Sequence, residues 1–285
     1  MAERAKKALW ALVGAFAACE LIKDIEFLVV KTDHTVLGEN VLCKLFMLLV
    51  IAFCLRRAGR RWSWLGFRRQ GLARGAVFGL GLGIVTYGIA YGIEFLVLHS
   101  RGLAPHFAFY ISNFSLAQQN VTGGSPAALV ICLAGNVLNV WAEEGLFRGL
   151  LFRLGKRALS PRAANLAQAL LFGLWHLVVV AVWVQEGSMD VWAALAMAPG
   201  YVLLAAVLGY EWGVCALLTG TVWAGVFEHF FNNFVGNALH VVTQSGADEL
   251  QILRIVLSNL LSLALVLCAA GAARKRAARA AETGR

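Results

Sequence analysis

Apolar runs of about 20 residues, the length that crosses a bilayer core, follow one another along almost the whole chain. They fall near 8–30, 36–55, 75–98, 126–151, 163–184, 191–211, 212–235 and 249–271. A soluble domain needs roughly a quarter of its residues charged, whereas 14% of these 285 residues are charged and 60% are hydrophobic. Hydrocarbon offers no water to satisfy backbone groups, so such runs must be helical. The expected fold is an all-α, polytopic transmembrane helical bundle of about eight spans. It is expected to form a single membrane domain over 1–285, with a basic cytoplasmic tail at about 272–285. No cleaved leader is expected, because Glu20, Lys23, Asp24 and Glu26 close the first run and no small-residue cleavage site precedes a soluble domain.

The net charge of +9 does not point to nucleic acid, since the basic residues lack the interleaved aromatics and fold motif of such a binder. They occupy short stretches between the apolar runs. Arg4, Lys6 and Lys7 form one stretch, and Arg56, Arg57, Arg60, Arg61, Arg68, Arg69 and Arg74 a second. Arg153, Lys156, Arg157 and Arg162 form a third, and Arg274, Lys275, Arg276, Arg279 and Arg285 a fourth. The alternate loops hold only Lys31 and Arg101. That asymmetry predicts eight spans with both termini cytoplasmic. The Arg-rich segment 56–74 is expected to lie on anionic headgroups with Trp62, Trp64 and Phe67 as interfacial anchors. Segment 99–125 is expected outside and could hold a short interfacial helix. Gly75, Gly79 and Gly83, spaced by four, suit close helix packing. The six cysteines form no C-x-x-C pair and read as small hydrophobes packed between helices.

Ionisable residues at membrane depth are costly and persist mainly where they line a cavity and carry function. Three clusters qualify: Glu143-Glu144-x-x-x-Arg148, Phe172-x-x-x-His176 and His229-x-x-x-Asn233. Asn136, Asn139 and Glu143 share one helical stripe. Glu144 and Arg148, at i and i+4, are placed to pair, which leaves Glu143 without a partner on its own helix and available as a general base or acid. Gln168 and Phe172 share the face of His176, whose neutral imidazole can accept or donate a proton. His229 and Asn233 form one pair of donors, and Glu228 with Asn232 lies on the adjacent face; two donors aimed at one point suit an oxyanion site. His34, His99, His106 and His240 read as loop or span-end residues, and Glu94 and Arg254 as structural pairs or snorkelling side chains.

These three motifs, in this order on separate membrane helices, resemble the CAAX protease and bacteriocin-processing family (CPBP, or Abi), which includes the Ras-converting endopeptidases. The likeness covers about 143–233, within a catalytic core expected at about 126–235. It implies a glutamic-type intramembrane endopeptidase in which Glu143 activates water with help from His176. His229 and Asn233 would then hold the oxyanion, and Glu144 and Arg148 would position the site. The resemblance implies no metal and no cofactor. The expected partners are a membrane-associated protein or peptide substrate and the lipid bilayer, with oligomeric state open. The Ala-, Gly- and Arg-rich composition points to a bacterial cytoplasmic membrane, where prenylated substrates are not expected.

Three other readings compete. Glu143, His176 and His229 could form a His₂Glu zinc set, although H-E-x-x-H is absent. The same residues could relay protons in a transporter. A catalytically silent immunity or partner protein is the third. There is no G-x-S-x-G elbow and no aspartate pair within the spans, which argues against serine and aspartyl chemistries.

Overall fold

Two serine caps set the helices that carry the motifs. A computed structural model describes residues 2–34, 40–112, 121–123 and 125–282. In it, Ser125 Oγ accepts from the Ala128 amide at 3.2 Å and starts α5 (Pro126–Glu144) with proline at its first position. Ser160 Oγ accepts from the Ala163 amide at 3.3 Å and starts α7 (Pro161–Leu174) in the same way. Proline has no amide to leave unpaired in a first turn, so Ser-Pro is a strong helix start.

The first described helices are α1 (Ala2–Ile25), continued by a π-helical turn at Glu26–Val30, α2 (Leu42–Arg57), the short α3 (Trp62–Leu65) and α4 (Leu72–Ser100). Two small antiparallel pairs follow at one end of the bundle. Strand β1 (His106–Phe109) pairs with β4 (Leu239–Val242), and β2 (Ile111–Ser112) with β3 (Val121–Gly123). Helix α5 runs through a π-helical segment at Gly145–Leu151 into α6 (Phe152–Gly155). Beyond α7 come α8 (Leu177–Gln185), α9 (Val191–Thr219), α10 (Trp223–Ala238) and α11 (Gln251–Glu282).

Among the described residues, five helical stretches are long and apolar enough to cross a membrane: Leu72–Ser100, Pro126–Gly155, Pro161–Gln185, Val191–Thr219 and Gln251–Glu282. The first, second and seventh expected spans correspond to α1, α2 and α10, and α2 and α10 have 16 residues each. Sixteen residues reach about 24 Å, short of a 30 Å core. The expected boundary between 191–211 and 212–235 is corrected: one helix runs to Thr219 and the turn falls at Gly220, whose φ of +70° closes it. The expected basic tail is helical through Glu282.

In segment 99–125 the described residues 106–109, 111–112 and 121–123 are extended rather than helical, and positions 113–120 lie outside the described residues. Trp62 and Phe67 are half-buried and pack on protein. Phe67 stacks on Trp141 of α5 at 5.8 Å and meets Trp223 of α10 at 5.3 Å, while Trp62 abuts both Phe67 and Trp141. Trp64 lies under the Arg157 guanidinium at 5.4 Å. The Trp223 indole donates to the Arg68 carbonyl at 2.6 Å. These contacts gather the basic stretches at 56–74 and 153–157, with the 219–223 turn, at one end of the bundle.

The expected glycine stripe does bring helices together. A Cβ on Gly79 would lie 2.9 Å from the Glu228 amide nitrogen and 3.1 Å from Phe227 Cβ, so only glycine lets α4 press onto α10. Beneath the motifs sits a core of Met47, Ile51, Leu146, Phe147, Leu150, Phe172, Trp175 and Trp212.

At the strand end, Arg254 donates to Glu94 at 2.5 Å and to Asp248 at 2.5 Å, and His240 meets Asp248 at 3.1 Å. Glu94 and Arg254 thus form a structural pair, one of the two roles expected for them, and His240, in β4 just past the end of α10, is fully buried. Burial alone would raise the Asp248 carboxyl, but hydrogen bonds and charge from His240 and Arg254 hold it below the usual carboxylate range.

Two predictions follow from these contacts. Gly79→Leu should cost about 1–3 kcal/mol or more through overpacking, whereas Gly81→Leu, with open space at its Cβ, should cost little. Thermal unfolding in detergent checks this, and equal losses would contradict the close α4–α10 contact. Because the folded Asp248 carboxyl is depressed, its stabilisation is present above its unfolded value of about 3.9 and fades as pH falls through the folded value. Asp248→Asn should therefore be clearly less stable than the parent at pH 7, with the gap closing below about pH 4. A gap independent of pH would refute that assignment.

Candidate functional site

Glu143 and Glu144 end the regular part of α5, immediately before its π-helical segment. The wider turn is often found at functional sites because it displaces side chains from their regular positions. Here neighbouring glutamates take different partners. Glu143 Oε1 accepts from the Trp175 indole at 2.9 Å, and its Oε2 lies 3.6 Å from His229 Nε2. Glu144 Oε1 meets His229 Nδ1 at 3.0 Å and Arg148 Nη1 at 3.4 Å. The His229 ring therefore sits between two carboxylates from another helix. Exposure is 6% for Glu143, 0% for Glu144 and 4% for His229.

The surroundings fix that ring. Trp212 of α9 stacks on it at 4.2 Å with planes 18° apart. Gly225 makes room, since a Cβ there would lie 3.1 Å from Glu144 Oε2 and 3.0 Å from Trp212 Cβ. Arg148, fully buried, lies 4.0 Å from the Phe172 ring and 4.7 Å from the Trp212 ring. The expected Glu144–Arg148 pair thus forms, and it carries the His229 contact as well.

His176 does not lie within one continuous helix, as the run 163–184 had suggested. The chain leaves α7 at Trp175, and His176 is the residue that caps α8. Its Nδ1 lies 2.7 Å from the Phe172 carbonyl. A carbonyl only accepts, so Nδ1 carries the hydrogen and Nε2 keeps its lone pair. Phe172 separates the two imidazoles, with ring centroids 4.7 Å from His176 and 6.2 Å from His229.

One cavity of about 650 Å³ is lined by Glu143, His176, His229 and Asn233 together with Asn136 and Asn139. The stripe expected on α5 therefore faces it. Two expected neighbours do not. Gln168 bonds Asn165 and the Gly209 carbonyl, each at 2.8 Å, and ties α7 to α9. Glu228 faces away from the cavity, where Ser262 hydrogen-bonds both Glu228 and Glu211.

Two further lining residues went unrecognised in the sequence. Trp175 supplies the indole bond to Glu143, and a buried indole needs such a partner; its place beside His176 was the available signal. Lys23 of α1 donates to the Trp175 carbonyl at 2.5 Å and lies 4.0 Å from its ring. As an intramembrane cation it could have been flagged by its cost alone. Among the described residues no group of three or more His, Cys, Asp and Glu side chains is placed to hold a metal ion.

This arrangement can hold a water against a carboxylate and an imidazole lone pair, with amide and imidazole groups nearby. Residues 125–235 match the family of Rce1-like type II CAAX prenyl endopeptidases. No curated protein and no solved structure matches the chain. The match spans all three motifs, in agreement with the resemblance read from them. The apolar helices make the chain an integral membrane protein.

The indole bond to Glu143 can be weighed by a double-mutant cycle. Trp175→Phe should cost about 1–3 kcal/mol beyond lost packing, the expense of an unsatisfied buried acceptor. That excess should vanish in a Glu143→Ala background. Equal unfolding costs in both backgrounds would show that the bond contributes nothing.

Proposed function

We propose that the chain is an intramembrane endopeptidase that hydrolyses a peptide bond of a membrane-associated protein or peptide with water activated by Glu143. The observation that supports this most directly is the shared cavity of Glu143, His176, His229 and Asn233, within the segment that matches a protease family.

Glu143 takes a proton from water as the oxygen attacks the carbonyl carbon. His176 Nε2 accepts the water's second hydrogen and fixes its orientation, because Nδ1 is committed to Phe172. The resulting oxyanion accepts hydrogen bonds from the Asn233 amide and from His229 Nε2. With its Nδ1 hydrogen given to Glu144, His229 can donate from Nε2 only when it carries both ring protons. Glu144 and Arg148 are positioning residues that hold that ring. Glu143 then passes its proton to the departing nitrogen as the C–N bond breaks, leaving an acid and an amine. All protons are handled by side chains, and no metal is required.

The proposal includes eight membrane crossings with both termini in the cytoplasm, α1, α2 and α10 being the short or charged members, in a single membrane domain. The support is the placement of basic residues: Arg4, Arg56–Arg74, Arg153–Arg162 and Arg274–Arg279 lie at alternate helix ends. A bacterial cytoplasmic membrane is the proposed location.

Glu143→Gln should abolish cleavage, and His176→Ala should lower it by about 10²–10⁴-fold, the usual worth of acid–base assistance. Both variants should fold. Comparing N termini in membranes from cells with wild-type and Glu143→Gln protein provides the assay. Cleavage retained by Glu143→Gln would overturn the assignment of the base. Stoichiometric zinc in purified protein, with activity lost on its removal and restored on return, would overturn the metal-free step.

A further inference from the structure

The cavity has a direction. Its deep end is Glu143, Trp175, His176 and His229, and its lining extends through Asn136 and Cys132 to Ser125 at the start of α5. Around that outer rim lie Asp33, His34 and Asn40 between α1 and α2, Ser112 of β2, and Glu186 and Ser188 after α8. Each of these belongs to a connection on one end of the bundle: after α1, before α2, before α5 and after α8. The basic stretches occupy the opposite ends of the same helices, in the first turns of α1, at and after the end of α2, and from α6 into the start of α7. Packing joins the stretch at 56–74 to the one at 153–157 through Arg157 and Trp64, and to the start of α10 through Trp223 and Arg68.

Mouth and arginine clusters are therefore at opposite ends. Basic loops are retained in the cytoplasm, so the mouth faces outward. Depth adds a second constraint. From Pro126 to Glu143, α5 advances 17 residues, about 26 Å at 1.5 Å each. An extended peptide covers that distance in about eight residues.

Resting on the endopeptidase reading above, we infer that the cavity takes an extended, unfolded peptide segment from the external face of the membrane, and that the bond cut lies about eight residues or more from whatever folded part remains outside. The substrate class is thus an exported or membrane-anchored protein with a flexible end or tail on the external side. A cytoplasmic protein carrying a modified C terminus would meet the arginine-rich end, none of whose described residues lines the cavity.

Single cysteines test the direction in whole cells and in inverted vesicles with a membrane-impermeant maleimide. His34→Cys and Ser188→Cys report the mouth, Asn139→Cys the cavity wall, and Arg60→Cys the opposite end. They are introduced into a variant whose six native cysteines are alanine. If that background folds poorly, the same substitutions in the native background are read as label above the parent. The expected result is labelling of positions 34, 188 and 139 in cells, and of position 60 only in inverted vesicles. Labelling of 34 and 188 only in inverted vesicles would overturn the inference and leave the protease reading untouched.

The terminus comparison supplies the second arm. Glu143-dependent termini should fall in external segments about eight residues or more from a folded part; termini in cytoplasmic segments would overturn the inference. External labelling with no Glu143-dependent termini would overturn the protease reading while the direction of the mouth stood.

Discussion

A carboxylate buried among apolar helices must be answered by a donor, because neither water nor lipid will do it. Glu143 and Glu144 meet that demand with side chains from other parts of the chain: Trp175 and His229 for the first, His229 and Arg148 for the second. The two glutamates share His229, so α5 and α10 cannot move apart without stranding charge. Aromatic planes finish the arrangement, Trp212 on one face of the imidazole and Phe172 at its edge. What looks in sequence like three separate motifs is one connected polar unit with a dry jacket.

Helix α10 shows how that unit is fixed in place. Its 16 residues give too little apolar length to be held by lipid alone. His229 joins it to α5, and the adjacent Glu228 joins its other face to α11 through Ser262, which also reaches Glu211 of α9. Gly79 lets α4 close on it without intervening side chains. Polar contacts on opposite faces of one short helix set both its depth and its rotation, and rotation decides whether Asn233 faces the cavity. Substituting residues on the Glu228 side should therefore disturb the site without touching it.

Much of this was legible in the chain, and the omissions have physical causes. Intramembrane charge drew notice to Glu143, Arg148, His176 and His229, and a four-residue glycine spacing to the α4–α10 contact. Periodicity could not show that the run 163–184 bends at Trp175, since no proline or glycine occupies that point; Gly173 lies two residues earlier. The boundary at Gly220 was placed too early because apolar residues continue on both sides of it. Lys23 and Trp175 are 152 positions apart, and no local pattern links them. The packing of the aromatic residues of 62–67 on other parts of the chain was not legible, because amphipathic composition is the same for an interface with headgroups and for one with another helix.

The bend at His176 connects fold to chemistry. Irregular backbone at membrane depth is tolerated where it is buried in protein or lines a watery cavity, and this bend satisfies both conditions. Breaking the helix frees the Trp175 carbonyl from its own ladder, and Lys23 takes it. The Phe172 carbonyl takes the His176 Nδ1 hydrogen. A straight α7–α8 helix would have consumed both carbonyls internally and left the imidazole free to choose its tautomer. By spending one turn of regular helix, the chain aims a defined nitrogen lone pair into the cavity and lets the Trp175 indole reach Glu143. The deviation from ideal helix is thus where the protein's covalent order is converted into the placement of a proton acceptor.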